Sequence, residues 1–299
     1  MGITVTPFGK YLGAEVNGID ICTPLAPDDV ATIEQAFLDC QVLRFRGQHL
    51  TVPELAAFSA HFGDLQPHVQ RKFQHPEDPN VVEMRNYDDD GNFDLAAASR
   101  GSMERLRDGW HSDLSYDPVP AKATLLHALK IPDRGGNTVF TSTHAAYDSL
   151  PDAMKKRLSG LRAEFSYGGN TRNKFTNLAA NSLDKASRES TTVIHPVVCA
   201  HPVTGRPAIY ANPLQTTRVL ELSEAESEDV LETLFEAIHE AGTTGGHWEH
   251  GWKVADTIVW ENRGGVFHSG RLDYPLDERR VMTRCTIGNS RIEPYLHAA

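Results

Sequence analysis

The stretch Arg280–Ile287, "RVMTRCTI", is the strongest constraint on the fold. Extended backbone sends successive side chains to opposite faces. Arg280, Met282, Arg284 and Thr286 therefore share one face of a strand, and Val281, Thr283, Cys285 and Ile287 share the other. The second face is apolar enough to pack under helices. The first then looks inward with two guanidinium groups, which is costly without anionic partners. A planar guanidinium suits bidentate carboxylate binding. The pattern calls for a sheet with helices on one side and a polar, anion-holding interior on the other.

The rest of the chain supplies many short strands with a few helices among them. "ITVTPFGKYLGAEVNGIDI", "QVLRFRG", "AKATLLHALKI", "GGNTVFTS", "RPAIYAN" and "DTIVWEN" read as strands and turns. "APDDVATIEQAFLDC" and "TVPELAAFSAHFG" read as helices, and a third lies near "THAAYDSLPDAMKKRL". "LSEAESEDVLETLFEAIHEAG" is the clearest helix, opened by Ser223 with Glu226 three residues on in a capping-box arrangement. A doubly wound parallel sheet needs regular strand–helix alternation, which is absent. The expectation is a single domain over residues 1–299, mainly β, a β-sandwich or jelly roll decorated by helices. Two polar stretches, 86–108 and 167–191, are long for loops and are candidates for segments that close over a site.

The 299 residues carry a net charge of -11, with 40% hydrophobic and 23% charged residues. That balance disfavours nucleic acid and anionic membrane as partners. It leaves room for a small anionic substrate in a locally basic pocket. The four cysteines are scattered without a C-x-x-C, as expected of reduced thiols in a cytoplasmic protein. No apolar run reaches the length of a membrane span, and no secretory leader pattern is evident.

"WHSDLSY" places His111 and Asp113 two residues apart, on one side of an extended segment. With one more histidine, such a pair forms the 2-His-1-carboxylate face of non-haem Fe(II) oxygenases. His268, in "GGVFHSG", follows a strand and a glycine pair and lies twelve residues before Arg280. Other motifs have plainer readings. "HWEH" puts His247 and His250 three apart, but with no third ligand evident it reads as a turn. There is no phosphate-binding loop and no nucleophile elbow.

The ordered motifs "LGAEVNGIDI", "VLRFRGQHL", "HFGDLQPH", "WHSDLSY", "GGNTVFTSTHAAYDSLP", "HPVTGRP" and "VWENRGGVFHSGRLDYPLDERRVMTRCTI" span nearly the whole chain. Together they resemble the taurine dioxygenase and 2,4-dichlorophenoxyacetate dioxygenase family of Fe(II)/2-oxoglutarate-dependent enzymes. The resemblance implies a double-stranded β-helix core flanked by α-helices. It implies Fe(II), 2-oxoglutarate and O2 as cofactor and cosubstrates. His111, Asp113 and His268 match the iron ligands, and Thr138 and Arg280 match the 2-oxoglutarate contacts. The His268–Arg280 segment is one residue longer than in taurine dioxygenase, which makes Arg279 a rival; the following Val281, Met282 and Arg284 align Arg280. Arg284 and His68 match substrate contacts, and Arg71 stands where a substrate tyrosine is found. Trp260 and Asn262 are expected as scaffold around His268, Asn262 also as an outer partner of the ligands. The implied reaction hydroxylates a C–H of a small anion (a sulfonate, sulfate ester, aryloxyalkanoate, other carboxylate or phosphonate) and yields succinate and CO2. A homo-oligomer, dimer or tetramer, is the family expectation. The competing readings are a metal-binding β-sandwich without oxygenase activity, against which the intact His111, Asp113, His268 and Arg280 speak, and a zinc hydrolase using the same triad, which gives Arg280 no task.

Overall fold

The computed structural model describes residues 2–67, 73–98, 106–167, 192–275 and 277–297. In chain order the strands are β1 (Thr4–Pro7), β2 (Ala14–Asn17), β3 (Val42–Phe45), β4 (Leu65–Gln66), β5 (Val81–Arg85), β6 (Ala121–Lys130), β7 (Thr138–Ser142), β8 (Arg162–Phe165), β9 (Val193–Pro196), β10 (Val198–Ala200), β11 (Pro207–Ile209), β12 (Thr216–Val219), β13 (His247–His250), β14 (Thr257–Glu261), β15 (Val266–Gly270), β16 (Val281–Asn289) and β17 (Glu293–Pro294). The helices are α1 (Pro27–Cys40), α2 (Val52–Ser59), α3 (Leu95–Ala98), α4 (Thr143–Ser149), α5 (Asp152–Leu158) and α6 (Glu224–Glu240).

The main sheet runs β1-β2-β3-β14-β6-β16-β4, with β5 also paired to β16. A second sheet, β13-β7-β15, faces its centre, and two small sheets, β11-β10-β17 and β12-β8-β9, lie beyond. The alternation along Arg280–Ile287 is realised. Cys285 and Ile287 of β16 pack with Ala123 and Leu125 of β6 and Val259 of β14 against Ile33, Phe37, Leu55 and Phe58 of α1 and α2. On the opposite face Met282, Leu126, Ala128, Ile258 and Trp260 meet Phe140 and Val266 of the second sheet. A large apolar side chain buried in either layer is worth ~1.5–3 kcal/mol. The second sheet is backed in turn by α4 and α6, where Val139 and Phe267 pack near Leu231, Leu234 and Ile238. This is the jelly roll: two sheets face to face, helices outside both. Within it, the interior end near Thr124, Leu126 and Arg284 is where the polar groups gather.

Two local expectations need correction. The helix expected over Thr143–Leu158 is two, because Pro151 forces Leu150 out of helical backbone (ψ 144°) and starts α5 afresh. "HWEH" is not a turn but strand β13, registered on β7 with His250 opposite Thr138. His268 follows strand β14 and the Gly264–Gly265 pair as expected, and it sits within the next strand, β15, opposite Phe140 of β7. The polar stretch 86–108 holds a turn of helix, α3, and a bridge between Tyr87 and Phe93. Of the stretch 167–191 only Tyr167 is described.

Candidate active site

His268 reaches the interior because β15 alternates: Val266 and His268 face the main sheet while Phe267 packs toward α6. His111 is tied to it by a two-residue antiparallel bridge, with its N–H on the His268 carbonyl at 3.2 Å and the His268 N–H on its own carbonyl at 3.0 Å. The two imidazoles stand side by side, 4.2 Å between centroids. Ser112 points the other way and donates to the Asn262 carbonyl at 2.8 Å. Asp113 then returns to the histidine side, and Leu114, at φ 57°, turns the chain away. One donor atom from each of His111, Asp113 and His268 lies within 4.8 Å of the others.

Burial pushes the His111 imidazole down, and burial with the neighbouring His111 brings His268 down to about 3. For Asp113 burial acts upward, but the Arg284 guanidinium, then the two histidines and the Thr124 hydroxyl, outweigh it and hold the carboxyl well below the usual range. The result is two neutral imidazoles and one carboxylate, the deprotonated donors a divalent metal needs. The hydrogen bonds fit as well. His111 Nδ1 donates to the Gly109 carbonyl at 2.8 Å, leaving Nε2 as the free lone pair. His268 Nε2 lies 3.8 Å from Asp113 Oδ2, and its buried Nδ1 has no hydrogen-bond partner among the described residues. The donor set suits iron, with positions left over for ligands.

Arg284 Nη2 contacts Asp113 Oδ1 at 3.0 Å. Arg280 follows a different pattern. Its backbone N–H donates to Asn86 Oδ1 at 2.8 Å, while the Asn86 amide donates to the Glu278 carbonyl at 2.9 Å. Burial pushes the Arg280 guanidinium down, with the Tyr274 phenol opposing. No described carboxylate forms an ion pair with it. Gly136, at φ 69°, makes the room: a Cβ there would stand 3.1 Å from the Tyr274 ring and 3.6 Å from the Arg280 side chain. Arg279 turns outward, its guanidinium 4.4 Å above the Tyr87 ring. Thr138 is buried at the start of β7, and its Oγ1 accepts from the Trp252 indole at 3.0 Å. Trp260 packs its ring 4.7 Å from His268. The Asn262 side chain accepts from the Asp113 N–H at 3.2 Å and donates to Thr124 Oγ1 at 2.9 Å. His68 and Arg71 lie outside the described residues.

Four neighbours escaped the sequence reading: Thr124, Trp252, Asn86 and Tyr274. Thr124 had a signal: a small polar residue beside Leu125 and Leu126 in the buried middle of β6. The other three reach the site by pairings distant in sequence.

A jelly roll with a His–Asp–His metal centre on its inner face and an arginine-lined interior is the architecture of 2-oxoglutarate-dependent iron oxygenases, and comparison with known proteins narrows this further. The chain matches the model of the Taurine catabolism dioxygenase TauD, TfdA family over residues 4–286 and belongs to that family. It is 31% identical to the alpha-ketoglutarate-dependent 2,4-dichlorophenoxyacetate dioxygenase of Cupriavidus pinatubonensis, over 96% of this chain and 98% of that one. It is 30% identical to pentalenolactone F synthase of Streptomyces avermitilis (99% and 97%) and 28% identical to an alkylsulfatase of Acinetobacter baylyi (92% and 82%). Among solved structures it resembles AAD-2 in complex with Mn(II) and N-oxalylglycine, with TM-score 0.81, 26% identity and full coverage of both chains. A taurine dioxygenase from Burkholderia xenovorans gives TM-score 0.77 at 26% identity, covering 98% and 93%. The protein is an Fe(II)- and 2-oxoglutarate-dependent dioxygenase. No helix among the described residues is long and apolar enough to cross a membrane.

Proposed function

We propose that this chain hydroxylates a C–H bond of a small anionic organic substrate, with His111, Asp113 and His268 holding iron, Arg280 and Thr138 holding 2-oxoglutarate, and Arg284, with His68 and Arg71, receiving the substrate anion. The observation that carries the reading is the pair of inward arginines. Arg280 is half-buried with no described carboxylate partner, and burial pushes its guanidinium down, a cost that a bound distal carboxylate relieves by bidentate hydrogen bonding. Arg284 stands beside Asp113, so an anion bound there lies against the metal centre. Iron with 2-oxoglutarate and O2 supplies the oxidising step, giving succinate, CO2 and a hydroxylated product. The chain's own part is positioning and exclusion of water. Thr138 Oγ1 accepts from the Trp252 indole, a bond that does not use its single proton and leaves it for the cosubstrate. Relatives named for 2,4-dichlorophenoxyacetate and alkyl sulfate support a carboxylate, sulfate ester, sulfonate or phosphonate. Hydroxylation beside a heteroatom then cleaves the C–heteroatom bond. A zinc hydrolase on the same triad leaves Arg280 without a ligand to bind. The same reading takes residues 1–299 as one domain acting in the cytoplasm, where the four free thiols stay reduced.

The test is succinate formation by the iron-loaded protein with 2-oxoglutarate and oxygen, across small sulfonates, alkyl sulfates, aryloxyalkanoates, phosphonates and amino acids. Stimulation by one class, lost in Arg284→Ala, is expected. An absence of succinate with every compound, despite measured iron binding, refutes the assignment.

A further inference from the structure

Thr124 lies in the middle of β6 with no solvent exposure. Its hydroxyl donates to Asp113 Oδ2 at 2.6 Å and accepts from Asn262 Nδ2 at 2.9 Å. The direction of each bond follows from its neighbours. Asn262 Oδ1 accepts from the Asp113 N–H at 3.2 Å and faces the Ser112 hydroxyl at 3.4 Å, so the amide NH2 is the end turned to Thr124. An amide NH2 has no lone pair to offer, and a hydroxyl has one proton. The Thr124 proton therefore goes to Asp113. Asn262 is itself immobilised. Its N–H bonds to the Lys122 carbonyl at 2.9 Å and to Glu261 Oε1 at 3.1 Å, and its carbonyl takes the Ser112 hydroxyl.

Asp113 thus has its two oxygens assigned to different partners. Oδ2 is held by Thr124 on the side of His268, and Oδ1 is turned to Arg284. A carboxylate beside a guanidinium gains most from a two-point contact with both oxygens. Rotation toward that contact would take Oδ2 from the histidines. We propose that Thr124, aimed by Asn262, is a positioning residue for the metal: its hydroxyl holds Asp113 Oδ2 toward the histidines against the pull of Arg284. The proposal rests on His111, Asp113 and His268 being the metal ligands.

The experiment is Mn(II) binding to the metal-free protein, read from the EPR signal of free Mn(II), for the wild type, Thr124→Val, Thr124→Ser, Arg284→Ala and the Thr124→Val/Arg284→Ala double variant. Valine keeps the shape and removes the hydroxyl; serine keeps the hydroxyl and removes the methyl. Loss of such an outer partner typically costs 10–100-fold in metal affinity. The expected result is a loss of about that size in Thr124→Val and about threefold or less in Thr124→Ser. The valine penalty should also shrink in the Arg284→Ala background, a coupling that mere packing does not produce. If the valine variant does not fold, Thr124→Ala is read in its place against serine. Valine binding Mn(II) like the wild type, serine losing as much as valine, or a penalty indifferent to Arg284 each overturns the proposal. A wild type that binds no Mn(II) overturns the metal-site reading itself, and this proposal with it.

Discussion

Acid should release a defined part of the stability of this fold, and the group responsible is Glu261. Its carboxylate is buried at the end of β14, with Arg263 and His201 buried beside it. Oε1 accepts from Arg263 Nε at 2.7 Å and Oε2 from Arg263 Nη2 at 2.6 Å, and His201 Nε2 lies 3.3 Å from Oε2. Burial pushes the carboxyl up, but the bonds from Arg263 and then His201 bring it from 4.5 down to about 2. A gap of that size contributes on the order of 3 kcal/mol. The folded pKa is the depressed one, so the contribution is complete above the unfolded value and is lost as pH falls toward 2. Most of it, on the order of 2 kcal/mol, is lost between pH 7 and pH 3. Glu261→Gln isolates the term, because it keeps the shape, cannot ionise, and leaves Arg263 buried without its counter-charge. Urea denaturation of wild type and variant at both pH values is the assay. The stability gap should be about 3 kcal/mol at pH 7 and about 2 kcal/mol smaller at pH 3; other carboxylates titrate in both proteins and cancel in the difference. A gap that does not change with pH would falsify the reasoning.

The assignment of Arg280 over Arg279 is tested by parallel substitution. Arg280→Gln should raise the KM for 2-oxoglutarate by about 10–100-fold, the worth of hydrogen bonds to a charged group, and Arg279→Gln should leave it within about twofold; equal effects refute the assignment. Trp252→Phe removes the indole donor to Thr138 and should weaken 2-oxoglutarate binding to the Mn(II)-loaded protein by about two- to tenfold, measured by calorimetry. No change there would show that the Thr138 hydroxyl needs no orienting partner. Gly136→Ala places a methyl at φ 69° against the Tyr274 ring and the Arg280 side chain. It should cost about 1–2 kcal/mol of stability and raise the KM for 2-oxoglutarate, and a neutral outcome on both counts speaks against the proposed position of Arg280.

What was legible beforehand was whatever repeats at a fixed spacing. The period-two pattern of Arg280–Ile287 fixed which side of β16 carries the guanidinium groups, and the helices cover Cys285 and Ile287 as that pattern requires. The same spacing set His111 and Asp113 on one side of the chain with Ser112 on the other. Elements too short for any periodicity were misread. "HWEH" is four residues long, and it is a strand because β7 offers an edge to it. Thr124 and Trp252 act through partners 11 and 114 residues away, and such contacts exist only once the sheets have paired. The choice between Arg279 and Arg280 could not be made by counting, since the preceding segment differs in length. The bond from Arg280 N–H to Asn86 and the Arg279 contact with Tyr87 turn the two side chains opposite ways.

The two inward arginines of this strand differ in what already neutralises them, and that difference predicts an order of binding. Arg280 has a phenol for company and no described carboxylate, so an anion placed there meets an uncompensated charge. Arg284 has Asp113 at 3.0 Å. While that pair is intact, a second anion at Arg284 would meet the Asp113 charge at close range, and like charges so near in a partly buried site repel by several kcal/mol. On the proposed assignment, a divalent metal on the triad would take up the Asp113 charge and leave Arg284 to the substrate. Anionic substrates should therefore bind measurably to the Mn(II)-loaded protein and at least about tenfold more weakly to the metal-free protein. By reciprocity the anion should tighten Mn(II) by the same factor. Calorimetric titration of the substrate class identified by the succinate assay, with and without Mn(II), measures both. Equal affinity in the two forms would mean that the anion does not approach Asp113, and the assignment of Arg284 to the substrate would have to be abandoned.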